Sequence, residues 1–182
     1  MKIKKENGIS LVELMVVISI VAILVGFTSV GRDVIRRGQV MSATRELLVD
    51  IQRARMNAIT QDGKGFGIRF ESPTTYVLFK FNDCNNDNSY DVDTCEGRTR
   101  EENVVIRKTV KSDVIFSKTN IANTINNEIL IFDRFGRPRQ ANWGMGMMTI
   151  LVRHDQQPGF VKCVTISLNR VREAYWNGSA CI

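Results

Sequence analysis

From Ile9 to Val30 the chain is almost continuously apolar, ISLVELMVVISIVAILVGFTSV, and Glu13 is the one charged side chain in the run. As a helix rising ~1.5 Å per residue it spans ~33 Å, enough for the hydrocarbon core of a bilayer. Beyond it the period becomes helical and amphipathic. In QVMSATRELLVDIQRARMNAITQDG, the residues Val40, Leu47, Leu48, Ile51, Ala54, Ala58 and Ile59 recur at three- and four-residue spacing. Arg45, Glu46, Arg53 and Arg55 fall on the other faces, the pattern of a helix with one buried stripe. Asp62-Gly63 reads as its stop. A single helix from Ile9 to about Gln61 would be ~80 Å long if straight.

From Gly65 the period drops to two. GFGIRFE, TYVLFKF, NVVIRKTV, DVIFSKT, EILIFDRF, MTILVRH and GFVKCVTISLNRVREAYW read as strands, separated by Ser-Pro, Asn/Asp-rich, Gly-Arg-Pro and Gln-Pro-Gly breakers. Strand follows strand with no helix between, which implies antiparallel pairing. The predicted fold class is α+β: a long N-terminal hydrophobic and amphipathic helix packed on a C-terminal antiparallel β-rich head.

Composition narrows the function. With 182 residues the chain supports one ordinary core. Its one histidine, His154, leaves no room for a multi-histidine zinc site and little for a Ser-His-Asp arrangement. No nucleophile–base pair stands out, so the expectation is a protein that is not an enzyme. The four cysteines, Cys84, Cys95, Cys163 and Cys181, form no Cys-X-X-Cys pair. An even number without that motif suggests disulfides outside the cytosol, and sequential pairing is the simplest of the three connectivities.

Residues 1–8, MKIKKENG, are short and basic. Lysines on this side predict an N-terminus that starts in the cytoplasm and a remainder that is exported. A cleaved secretory signal is the alternative, with its small-residue site near Gly26, Ser29 or Gly31. Glu13 argues against it, because a charge inside an apolar span costs roughly 2.5–3.5 kcal/mol and is normally retained for a partner. A cut after Gly8 would supply one: the α-amino group of Ile9 on a neighbouring copy.

Gly8-Ile9-Ser10-Leu11-Val12-Glu13 resembles the class III signal of the type IV pilin-like superfamily. The resemblance implies cleavage after Gly8 by a prepilin peptidase, N-methylation of Ile9, and Glu13 as the assembly carboxylate. Two positions depart from the pattern: Ile9 stands where Phe is usual, and no Pro interrupts the apolar helix. ARMNAITQDGK, FDRFGRPR and CVTISLNRVREAYWNGSAC are similar to segments of minor pseudopilins and minor pilins of the GspH/FimT type. The implied organisation is a leader over 1–8, a transmembrane or filament-core half-helix over 9–31, an amphipathic half over 32–62 and a β-rich head over 63–182. The implied protein is a single-pass subunit of the bacterial inner membrane with its head in the periplasm. It assembles with other pilin or pseudopilin subunits into a type II secretion pseudopilus or type IV pilus, near the tip. Loss of the leader removes three Lys and one Glu, taking the formal charge from +6 to +4.

Two stretches carry candidate binding chemistry. Residues 83–102 hold seven acids against Arg98 and Arg100, a net charge of −5. Asp83, Asn85, Asp87, Ser89 and Asp91 alternate as oxygen donors much as in a calcium loop, although Asn88 replaces the turn glycine and Thr94 the bidentate Glu. Calcium is therefore a candidate ligand, against the plainer reading of a solvated hairpin loop. Arg134, Arg137 and Arg139 crowd one turn, and Arg170 and Arg172 recur at strand spacing, with Tyr175, Trp176 and Trp143 near in sequence. This patch is the basis for an alternative function, DNA binding during uptake. The resemblance to DNA-receptor pilins rests on their Gly-Arg-X-Arg motif, and here Asn169 takes the Gly position before Arg170-Val171-Arg172.

Overall fold

The computed structural model describes residues 10–60, 64–82, 90, 102–111, 113–118, 125, 127–140 and 145–182. One helix, α1, runs Leu11–Thr60. The chain divides into two compact units, Met1–Arg36 and Arg37–Ile182, and α1 contributes to both.

In the first unit the helix carries apolar side chains on every side up to Gly26, with Arg32, Asp33 and Arg36 at its end. Leu11, Val12, Leu14, Met15, Ile18, Val21 and Leu24 are all more than half exposed, so this stretch finds no protein core of its own. It is long and apolar enough to cross a membrane, by length and composition. Ser19 donates its hydroxyl to the Met15 carbonyl at 2.8 Å, which satisfies the hydroxyl within the helix.

The second unit is the predicted α+β arrangement. After α1 come β1 (Lys64–Ser72), β2 (Thr75–Asn82), β3 (Glu102–Thr109), β4 (Val114–Lys118), β5 (Glu128–Phe132), β6 (Pro138–Arg139), β7 (Met148–His154), β8 (Gln157–Ile166) and β9 (Val171–Tyr175). They form two sheets, β3-β2-β1-β5-β6 and β4-β7-β8-β9. Every pairing among these strands is antiparallel.

The helical stripe drives the packing. Val40, Ala43, Leu47, Ile51, Ala54 and Ala58 are buried against the inner faces of both sheets, including Phe66, Ile68, Phe70, Leu78, Leu130 and Phe132 of the first and Phe116, Ile150, Val152, Val164 and Ile166 of the second. Full burial of each large side chain contributes ~1.5–3 kcal/mol. Part of the outer face of the first sheet, over β2 and β5, is also covered. Val77, Phe79, Phe81 and Ile131 pack with Tyr90, whose ring lies 5.8 Å from Phe79 and 5.0 Å from Phe81. The rings of Phe79 and Phe81 lie over the two glycines opposite them in β1, Gly67 and Gly65. A Cβ on Gly67 would meet the Leu130 carbonyl at 2.7 Å and the Phe79 ring at 2.8 Å.

Two breaker assignments differ from the sequence pattern. Gln157-Pro158-Gly159 belongs to β8, and the reversal comes earlier, at Asp155-Gln156. Pro158 is tolerated because β9 pairs with β8 only from Lys162 onward, and β7 is bulged between Arg153 and His154. The run from Gly159 to Trp176 is two strands, reversed at Ser167–Arg170. There Ser167 N–H donates to the Arg170 carbonyl at 3.0 Å, and the Ser167 hydroxyl donates to the same oxygen at 2.9 Å. A serine side chain does the work expected of a Gly or Pro.

Candidate functional site

The N-terminal segment is described from Ser10; Gly8 and Ile9 lie outside the described residues. Leu14 N–H donates to the Ser10 carbonyl at 3.1 Å, which closes the first turn of α1. Glu13 sits exposed in that turn, where the orphan amides and the helix dipole favour an anion. Ser10 and Glu13 also have the spacing of a capping box. The carboxylate thus stands at the very start of an apolar helix, where a neighbouring cation can reach it.

The arginines read as one patch fall on two different sheets. Arg134, Arg137 and Arg139 belong to the turn after β5 and to β6, in the five-stranded sheet. Their organiser is Asp133, a buried residue the sequence pattern did not single out. Its carboxylate accepts from Phe135 N–H at 3.0 Å, Arg137 N–H at 2.9 Å, Arg137 Nε at 2.9 Å and Arg139 Nε at 3.3 Å. Arg134 and Arg137 both lie over the Phe135 ring, 4.9 and 4.8 Å from its centroid. Gly136 closes the turn at φ +71°, a left-handed value natural to glycine. A Cβ there would also come 2.7 Å from Cδ1 of Ile59 on α1.

Arg170 and Arg172 belong to the four-stranded sheet. Arg170 lies in the Ser167–Arg170 reversal and Arg172 in β9; both are exposed. Arg172 donates to the Cys181 carbonyl at 3.4 Å. Arg55, on α1, connects this region to the helix by donating to the carbonyls of Leu168 and Asn169, each at 3.2 Å. Of the aromatic candidates, Tyr175 is engaged by Lys162 Nζ, 3.7 Å from its centroid, and by Phe160. Trp176 packs on the outer face of the second sheet, and Trp143 lies outside the described residues.

Cys163 and Cys181 form a disulfide, with Cα atoms 6.2 Å apart. It ties the C-terminal segment over Leu151 and Val161, and that segment also pairs back on β9 through reciprocal Tyr175–Ile182 hydrogen bonds of 3.0 and 2.9 Å. Cys84 and Cys95, and the calcium candidates Asp83, Asn85, Asp87, Ser89 and Asp91, lie outside the described residues. Among the described residues no group of three or more His, Cys, Asp or Glu side chains is placed to hold a metal.

Two further polar clusters escaped the sequence reading. Asp50, buried on α1, accepts from the Tyr76 hydroxyl at 2.9 Å and pairs with Lys108 Nζ at 3.2 Å; Lys108 also reaches Glu46 at 3.1 Å. Burial, reinforced by Asp50, pushes the Tyr76 pKa well above its ordinary value. Burial opposes the charge on Lys108, but its bonds to Glu46 and Asp50 outweigh that and raise its pKa. On the outer face of the first sheet, Glu102 receives both Arg69 and the Tyr90 hydroxyl. Against the desolvation it suffers, Arg69 is held charged by Glu102, and its pKa is raised.

Comparison with known proteins places the N-terminus first. Residues 3–29 match the family described as the prokaryotic N-terminal methylation motif. Among solved structures, the chain is similar to the minor pseudopilin EpsH from the type 2 secretion system of Vibrio cholerae, at 13% identity and a TM-score of 0.49, covering 75% of this chain and 97% of that one. No curated protein matches the sequence significantly.

Proposed function

We propose that this chain is a membrane-anchored, prepilin-type filament subunit of the minor pilin or pseudopilin kind. The observation that carries the reading is the methylation motif over residues 3–29, continuous with an apolar helix whose side chains lie exposed. In this reading residues 1–8 are a leader that a prepilin peptidase removes after Gly8, on the cytoplasmic face. Ile9 becomes the methylated N-terminus, and residues 9–31 hold the chain in the inner membrane before assembly. The exposed apolar side chains then find cover among the helices of neighbouring subunits, and Glu13 compensates the Ile9 α-ammonium of the next copy. The β-rich head faces the periplasm. The machine is a type II secretion pseudopilus or a type IV pilus, with this subunit near its tip.

The test is the intact mass and N-terminal sequence of the membrane-extracted protein, produced with and without the peptidase. The expected chain begins at N-methyl-Ile9 only when the peptidase is present. A mature chain that starts beyond Gly31 would overturn the reading in favour of an exported globular protein.

The alternative, a DNA receptor for uptake, draws on Arg134, Arg137, Arg139, Arg170 and Arg172. Exposed Arg170 and Arg172 favour it. The shared bonding of Arg137 and Arg139 to Asp133 counts against it, because phosphates would compete with a buried carboxylate. DNA binding by the full chain that falls steeply with salt and disappears with Arg170→Ala/Arg172→Ala would establish this second reading.

A further inference from the structure

The larger unit begins at Arg37, and strand β8 runs beside its part of α1. Phe160, near the start of β8, lies under the Arg37 guanidinium at 5.5 Å, and Leu168, just past the strand's end, accepts from Arg55. The Phe160 end is therefore the end at which α1 enters this unit. Three further groups gather there. The Tyr175 ring meets Phe160 edge-on, with centroids 6.0 Å apart. Lys162 Nζ sits 3.7 Å from the Tyr175 centroid, and the C-terminal Ile182 is hydrogen-bonded to Tyr175. Tyr175 and Ile182 are 50% and 72% exposed. Most charge at this end is already matched: Asp33 pairs with Arg36 at 3.4 Å, Asp155 with Arg153 at 3.2 Å and Glu173 with Lys162 at 4.0 Å. Among the described residues no carboxylate pairs with Arg37, whose exposed guanidinium rests on the Phe160 ring.

An exposed cation stacked on an aromatic pair, close to where a chain leaves lipid, is the chemistry of the membrane–water boundary. Aromatic rings settle at headgroup level there, and arginine pairs with lipid phosphate. The distances agree. Arg37 follows residue 31, the end of the proposed span, by six residues, ~9 Å along a helix. The headgroup layer is ~5–7 Å deep, and the long arginine side chain closes the difference. We propose that Arg37, with the Phe160 and Tyr175 rings, docks a phospholipid headgroup, the lipid phosphate pairing with the Arg37 guanidinium, on the side of the membrane where the head lies. The contact holds the larger unit against the bilayer in the unassembled subunit, and it is given up when the subunit leaves the membrane. The site belongs to the larger unit alone, and the inference rests on reading residues 9–31 as a membrane span.

The experiment uses the full-length chain in nanodiscs of phosphatidylethanolamine and phosphatidylglycerol, with the photoreactive residue p-benzoylphenylalanine at position 175, 17 or 135 in separate samples. Position 17 reports the span, and position 135, exposed beside the far end of α1, is the control. The expected products on irradiation are phospholipid adducts at 175 and at 17 and none at 135. At 175, Arg37→Gln lowers the yield about fivefold, as loss of one arginine–headgroup contact requires, and Arg37→Lys keeps most of it. Discs of a galactolipid, which has no phosphate, give the same lowered yield at 175. The yield at 17 changes in none of these cases. Adducts at 17 without adducts at 175, equal adducts at 175 and 135, or a yield at 175 indifferent to Arg37→Gln or to the lipid phosphate would each overturn the inference and leave the span reading intact. No adduct at 17 would overturn the span reading, and this inference with it.

Discussion

Among the described residues, Asp50 and Asp133 are the two buried carboxylates, and much of the larger unit's polar chemistry is organised around them. Tyr76→Phe removes a hydrogen bond to a buried carboxylate that keeps Lys108 as its partner, so a stability loss of about 1–2 kcal/mol at neutral pH is expected in urea unfolding. The same variant has a pH signature. Tyr76 and Lys108 both have folded-state pKa values raised above their unfolded ones. The folded protein therefore holds protons that the unfolded chain releases at alkaline pH. The stability they contribute is fully present below about pH 10 and is lost as pH rises beyond it. Melting temperature should decline in that range for the wild type and decline less for Tyr76→Phe. Asp133→Ala leaves two turn amides and two partly solvated guanidinium groups without their acceptor. A loss of about 2 kcal/mol by denaturant titration follows, short of a fully buried pair because the arginines reach water. Neither aspartate was legible in the sequence. An Asp in an amphipathic helix and an Asp before a basic turn look like solvated residues until the fold brings a tyrosine from β2 and amides from the turn onto them.

At the level of elements the sequence was more readable, and the reason is periodicity. The stripe Val40-Leu47-Ile51-Ala54-Ala58 lies in the core, because three- and four-residue spacing places a side chain on one helical face whatever it packs against. Leu47→Ala should cost 2–5 kcal/mol, roughly, as a truncation of a fully buried side chain between helix and sheets. Strand alternation held less firmly, since β2 and β5 of the first sheet are buried on both faces. Gly65 and Gly67 were visible only as small residues in a strand; their purpose appears when Phe81 and Phe79 lie across them. The end of the chain was legible through its cysteines. Cys163 and Cys181 join across one short closure, which constrains the unfolded chain and contributes about 2–4 kcal/mol. Cys163→Ser/Cys181→Ser should lower the unfolding free energy from urea titration by the smaller part of that range, because the Tyr175–Ile182 hydrogen bonds still hold the C-terminal segment. Reductant should lower the wild type's midpoint by more than the double variant's, in which Cys84 and Cys95 remain.

For the whole molecule, the division into Met1–Arg36 and Arg37–Ile182 separates two physical tasks. The larger unit buries its own core and so carries its own stability, while the apolar helix before Arg36 exposes its side chains and has to be covered by lipid or by other chains. Glu13 belongs to the second task alone. A carboxylate at the entrance of an apolar span is costly unless a cation meets it, and in the proposed filament that cation is the Ile9 α-ammonium of the adjacent copy. Glu13→Ala removes the cost in the membrane together with the reason to leave it. Membrane retention and cleavage after Gly8 should therefore persist, the melting temperature of the larger unit should be unchanged, and recovery of the subunit in sheared filaments should fall at least tenfold, the equivalent of about 1.4 kcal/mol in an assembly equilibrium. Glu13→Asp, which keeps the charge on a shorter arm, should recover part of the loss. Filament recovery equal to wild type for Glu13→Ala would show that the carboxylate serves only to cap the first turn of α1, and that apolar packing alone sets the register between copies.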